Sequence, residues 1–128
     1  MPNVNRGDRP LSPHLSIYQY QITWVLSILH RATGVALTVG AALIVFWLFA
    51  AASGPEQFAR VDGFLTSPIG GFVLLGSLFA FSFHFLNGVR HLFWDAGYGF
   101  KLGNVTLTGW GVVLGSAAMT AAVYVLCV

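Results

Sequence analysis

Charge is scarce in this chain, and the scarcity excludes most water-exposed architectures. Of its 128 residues, 8% are charged and 56% hydrophobic, whereas a soluble domain carries about a quarter charged residues. That is too little polar side chain to coat a water-facing domain, so lipid or other membrane subunits must cover it. Acidic residues are scarcest. Asp8, Glu56, Asp62 and Asp95 are the whole set, and all lie in the N-terminal segment, in connections or at span edges. A proton-coupled or multidrug transporter wants a carboxylate deep within a span, so this placement counts against transport. Cys127 is the only cysteine, which leaves no internal disulfide and no thiolate metal site. It is expected to pack as a small apolar residue near the end of the last helix. A net charge of +2 is weak evidence about partners and gives no case for nucleic acid. No apolar core follows closely on Met1, so no cleaved signal peptide is expected, and the first span doubles as the insertion signal. An Arg-rich, Ser-rich presequence is missing too, which favours a bacterial chain or a mature organellar one.

What the chain does have is long apolar runs. Ala32 to Pro55 is charge-free over 24 residues, Gly63 to Val89 over 27 and Leu102 to Val128 over 27. Each suffices for one crossing of the hydrocarbon core, which takes about 20 residues, and none for two. Backbone groups in lipid must bond within their own segment, so the spans should be helices. The expectation is an all-α membrane protein with three transmembrane helices forming part of a heteromeric helix bundle. Residues 1–128 make a single membrane-anchor domain with spans at about 22–52, 69–94 and 105–128. Residues 1–21 form a cytoplasmic or interfacial segment, in which Arg9-Pro10 and Ser12-Pro13 break helix. Tyr18, Tyr20 and Trp24 suit the headgroup level. Ser53-Gly54-Pro55 stops the first span, and a short outer loop follows. Arg6, Arg9 and Arg31 fall on one side with Arg90 and Lys101, against Arg60 alone on the other. Five basic residues against one set the N-terminus on the cytoplasmic or matrix side. In the third span, Gly111 and Gly115, followed by Ser116, Ala117 and Ala118, read as a helix-packing stripe.

Two polar constellations interrupt the apolar runs. In the first span, Ser27, Arg31 and Gly34 fall at i, i+4 and i+7 and share a face, with His30 adjacent and Thr38 extending the stripe. A membrane arginine costs roughly 2.5–3.5 kcal/mol on insertion scales and usually marks a site. The plainer reading is that Arg31 snorkels to the inner interface. In the second span, His84, Gly88, His91 and Asp95 fall at i, i+4, i+7 and i+11. His84 and His91 differ in depth by about 10 Å, so they cannot ligate one iron. His84 is the deeper. A neutral imidazole is a good axial ligand for haem iron, and glycine at 88 leaves room for a flat macrocycle. Arg31, Arg90 and His91 lie toward the inner face, where haem propionates would need cations. The plainer reading is a hydrogen-bonded bundle histidine. His30 is the only internal candidate for a second axial ligand, but it lies beside Arg31, nearer the surface than His84. The second ligand is therefore expected from a partner chain. Ser27 and Arg31 also offer donors to the carbonyl oxygens of a quinone, and Asp95 could contact the inner water phase. Phe79, Phe81, Phe83 and Phe85 read as lipid-facing or packing groups.

Three segments carry a family resemblance: Arg9-Pro10-Leu11-Ser12-Pro13-His14-Leu15-Ser16-Ile17-Tyr18, Ser27-Ile28-Leu29-His30-Arg31-Ala32-Thr33-Gly34, and the His84 to Asp95 stretch of form H-x-x-x-G-x-R-H-x-x-x-D. Together they frame residues 9–95, and the third helix matches only in hydropathy. The chain resembles the cytochrome b556 subunits, the C-type membrane anchors of succinate dehydrogenase (respiratory complex II). The resemblance implies haem b and ubiquinone as its chemistry. It also implies a flavoprotein subunit, an iron–sulfur subunit and a second membrane anchor as partners, with succinate oxidised outside this chain. It makes His84 an axial ligand to haem iron, with the other ligand on the partner anchor. It places His30, Arg31 and His91 around the propionates and Ser27 and Arg31 at the quinone. The membrane would be the bacterial inner membrane or the mitochondrial inner membrane. A quinol:fumarate reductase anchor is the near alternative, since potentials set the direction. A purely structural adaptor would leave Ser27, Arg31, His84 and His91 without a reason.

Overall fold

The computed structural model describes residues 7, 12, 14–17 and 19–127. Arg6, Asp8, Arg9, Pro10, Leu11, Pro13 and Tyr18, which carried part of the topology and resemblance arguments, lie outside the described residues. Within them the chain is helical. A 3-10 turn at Leu15–Ile17 precedes α1 (Ile22–Ser53), α2 (Pro55–Leu65), α3 (Pro68–Asp95) and α4 (Leu102–Cys127). The helices α1, α3 and α4 have 32, 28 and 26 residues and are apolar enough to cross a membrane. At about 1.5 Å per residue the shortest is about 39 Å long, against a hydrocarbon core of about 30 Å. The chain is a multi-pass membrane protein.

The connection between the first two spans differs from the expected short outer loop, because Pro55–Leu65 is helical. Pro55 opens it at a position where a missing N–H costs nothing. Glu56 and Arg60 pair at 2.6 Å one turn apart on its exposed side. On the other side, Phe58 packs its ring 5.6 Å from that of Trp47, and the Trp47 indole donates to Asp62 Oδ1 at 3.3 Å. Ser67 then caps α3 by accepting from the Gly70 amide at 3.2 Å, with Pro68 in the first turn.

Helix α3 is central and packs on both α1 and α4. Association in lipid lacks a hydrophobic drive, so close van der Waals approach and hydrogen bonds must hold the bundle. The core is Leu26, Phe83 and Val112, flanked by Ile22, Leu86 and Val113. Glycine at 109 permits the α1–α4 approach, because a Cβ there would lie 3.1 Å from Leu26 Cδ1. The buried face of α4 is Gly109, Val112, Ser116 and Thr120, which moves the expected packing stripe. Gly115 and Ser116 belong to the contact region, Gly115 against Leu86. Gly111, Ala117 and Ala118 are exposed, because the α3 contact runs along the neighbouring face. Phe83 is buried, while Phe79, Phe81 and Phe85 face outward. Cys127, in the last turn of α4, is exposed, contrary to the expected packing, because the α4 face turned to the bundle is that of Gly109, Val112, Ser116 and Thr120.

Candidate functional site

Polar side chains enter the bundle along two seams of α3. Toward α1 the central group is His84. Its Nδ1 lies 3.1 Å from the His30 carbonyl oxygen and 3.2 Å from Thr33 Oγ1. A carbonyl can only accept, so Nδ1 carries the hydrogen. In the neutral form of the ring the lone pair then lies on Nε2, which has no hydrogen-bond partner among the described residues. The His30 ring stacks on the His84 ring at 3.8 Å between centroids and 9° between planes. Gly34 supports the other approach to the ring. A Cβ at residue 34 would stand 3.1 Å from His84 Cε1, so glycine lets the imidazole lie against α1 here without shifting. Gly88 is one turn on, where a Cβ would meet His30 Cε1 at 3.9 Å. His91 completes the cluster, 5.4 Å from the His30 ring and edge-on to Trp94 at 5.1 Å.

The structure thus brings His30, His84 and His91 together, and it corrects their expected depths. His30 is level with His84 rather than nearer the surface, because α1 packs against α3 with the two rings face to face. Stacked rings cannot ligate opposite faces of one iron, so the case against His30 as second ligand rests on orientation, not depth. Nor is this a chelating site, since no group of three His, Cys, Asp or Glu converges among the described residues. The buried Nδ1 of His30 has no hydrogen-bond partner among the described residues.

Ser27 and Arg31 lie one turn apart on α1. Every serine or threonine of the three long helices beyond their first turns bonds its hydroxyl back to a carbonyl three or four residues earlier, with Ser27 the exception. Arg31 is exposed and has no ion pair or hydrogen bond among the described residues. Asp95, the last residue of α3, is also exposed.

Arg90 overturns its expected place among the propionate cations. It is buried at 6% exposure and turned toward α4. There Nε donates to Thr108 Oγ1 at 3.1 Å, Nη2 to the Val105 carbonyl at 2.9 Å and Nη1 to Asn87 Oδ1 at 3.5 Å. Its guanidinium also lies 4.0 Å over the Trp94 ring. Phe83, Asn87 and Arg90 fall at i, i+4 and i+7, so the α4-facing register was readable from spacing. Thr33 was missed altogether, since a membrane threonine ordinarily bonds its own backbone. No single-helix pattern shows what lies opposite it.

A haem iron needs an imidazole fixed in one tautomer and one orientation. His84 meets that need through its two acceptors, the glycine contact and the stacked His30 ring. The orphaned His30 nitrogen and the unpaired Arg31 are further polar groups suited to a ligand from outside the chain. The residues present fit the group.

Residues 5–123 match the family described as "Succinate dehydrogenase/Fumarate reductase transmembrane subunit". The succinate dehydrogenase cytochrome b556 subunit of Paracoccus denitrificans is 43% identical over 119 residues, covering 93% of this chain and 92% of the relative. The protein of the same name from Rickettsia conorii is 41% identical over 117 residues, 91% of each. The mitochondrial cytochrome b560 subunit of Mus musculus is 40% identical over 113 residues, 84% of this chain and 65% of the relative. With nearly the full chain matched by family and relatives alike, this protein belongs to the succinate dehydrogenase/fumarate reductase transmembrane subunit family.

Proposed function

We propose that this chain is a membrane-anchor subunit of succinate:quinone oxidoreductase, respiratory complex II, which holds haem b and forms part of the ubiquinone-reduction site. The observation that carries the reading is the 3.1 Å contact of His84 Nδ1 with the His30 carbonyl oxygen, an acceptor only, which leaves Nε2 open. From this chain His84 would hold the haem iron, through Nε2. A second membrane anchor would supply the other ligand, since the His30 ring is stacked on that of His84 and is not free to face the iron from the opposite side. His30, His91 and Arg31 form the polar surround at the propionates. Haem b, when bound, supplies a one-electron carrier within the membrane.

Ser27 and Arg31 bind and orient the quinone. The serine hydroxyl, not folded back on its own helix, donates to one carbonyl oxygen, and the guanidinium supplies a charged donor. Reduction to quinol takes two electrons and two protons. The electrons arrive from the iron–sulfur subunit, which receives them from succinate oxidation on the flavoprotein subunit. The protons come from the inner aqueous phase, to which Asp95 is open. The basic residues of the N-terminal side and of the α3–α4 connection put the N-terminus on the cytoplasmic or matrix side. The membrane is the inner membrane of a bacterium or of a mitochondrion. The direction is succinate oxidation rather than fumarate reduction, as the names of the three relatives support.

The test is a reduced-minus-oxidised spectrum of the detergent-purified complex, with mass identification of the chains that co-purify. A b-type spectrum with flavoprotein, iron–sulfur and second-anchor chains is expected. Those partners without haem would keep the anchor role and remove His84 as a ligand. Neither haem nor partners would sink the reading.

A further inference from the structure

Thr33 is the one hydroxyl that touches the open histidine cluster, and its bonding direction is fixed. Its own hydrogen goes to a main-chain carbonyl, with Leu29 O at 2.8 Å and His30 O at 3.0 Å. A hydroxyl has one hydrogen and two lone pairs. Toward His84 Nδ1, 3.2 Å away, Thr33 can therefore only accept. The Nδ1–H is shared between the threonine oxygen and the His30 carbonyl oxygen at 3.1 Å. The ring needs no further steric support from Thr33, since Gly34 and His30 already flank it. What the hydroxyl adds is electronic. An acceptor on the distal nitrogen of a ligating imidazole draws its hydrogen outward and raises the basicity of the other nitrogen. A stronger donor favours ferric over ferrous iron, one of the levers by which a protein sets a haem potential.

We infer that Thr33 is a positioning residue that tunes the donor strength of His84 through Nδ1 and so holds the haem potential low. The inference deepens the proposed function and rests on His84 being the axial ligand. Thr33 acts through His84 and touches neither iron nor quinone. Its hydroxyl is itself polarised by donation to the α1 carbonyls, which strengthens its oxygen as an acceptor.

The experiment is a potentiometric titration of haem absorbance in the assembled complex carrying Thr33→Val, Thr33→Ala or Thr33→Ser. Valine keeps the volume and removes the hydroxyl, alanine removes both, and serine keeps the hydroxyl. Valine and alanine should both move the midpoint positive. The ferric-to-ferrous ratio at fixed ambient potential should fall by about three- to tenfold, tenfold being about 59 mV for one electron. Serine should stay with the wild type. Wild-type midpoints in the valine and alanine complexes would overturn the proposal. So would an equal shift in all three, which would mean packing rather than hydrogen bonding. Loss of haem from valine and alanine alone would give the hydroxyl a holding role in place of a tuning one, and would overturn it too. Failure of the underlying reading looks different: a His84→Ala complex would keep an unaltered haem, whatever the Thr33 variants do.

Discussion

Arg90 and His84 are six residues apart on α3, and their surroundings differ in one respect that organises the molecule. Toward α4, Arg90 has three acceptors and an aromatic face, all from this chain. Further along the same seam the Thr120 hydroxyl, bonded back to Ser116 O at 2.8 Å, is shared with Ser82 Oγ at 3.3 Å, and Ser116 bonds its own helix. Among the described residues only the amide nitrogen of Asn87 is left over there. On the α1 side, among the described residues, the buried His30 Nδ1 is orphaned, the Ser27 hydroxyl is not bonded back and the exposed Arg31 has no ion pair. A polar group in lipid is costly unless it is paired. The α3–α4 seam meets that requirement internally and so locks two helices together. The α1–α3 seam does not, and the groups it leaves open are those a cofactor, a substrate or a partner chain would satisfy.

The contrast can be broken from the closed side first. Arg90→Ala removes three donors and the cation over Trp94, so about 3 kcal/mol of stability should be lost. Thermal unfolding of the purified complex measures this, and the haem band should stay in place. A shifted band with stability retained would mean that Arg90 belongs to the other seam. On the open side, Ser27→Ala and Arg31→Ala should each lower kcat/KM for quinone by about tenfold, equivalent to about 1.4 kcal/mol. Succinate oxidation with an artificial acceptor should be retained in both. Unchanged quinone kinetics would remove these residues from the site. The smallest effect is expected from Thr120→Val, which deletes one interhelical hydrogen bond worth about 0.6 kcal/mol in a membrane setting. Thermal unfolding should register it, and haem and quinone readouts should not move.

How legible this was from sequence depended on whether a feature lives on one helix or between two. The spans were legible because charge-free runs report directly on lipid, and the expected limits lie within a few residues of α1, α3 and α4. The short helix α2 was not, because Glu56, Arg60 and Asp62 give it the composition of a loop. Its signal was the spacing of Phe58, Val61 and Leu65, which marks one apolar side. Within α3, the shared face of His84, Gly88 and His91 followed from periodicity. Arg90 was grouped with them by proximity in sequence, although its own period with Phe83 and Asn87 points to α4. The stacking of His30 on His84 and the contact of Thr33 with Nδ1 depend on the register of α1 against α3. Gly34 sets that approach, and no pattern along either helix states it.

The central claim, that the open seam is a cofactor seam built on His84, is tested most directly by one difference spectrum. Reduced-minus-oxidised spectra of wild-type and His84→Ala complexes are recorded at equal amounts of flavoprotein and iron–sulfur subunits. The account expects the b-type band to be lost or much reduced in the variant while those subunits remain attached. An unchanged band of full intensity in His84→Ala would contradict it.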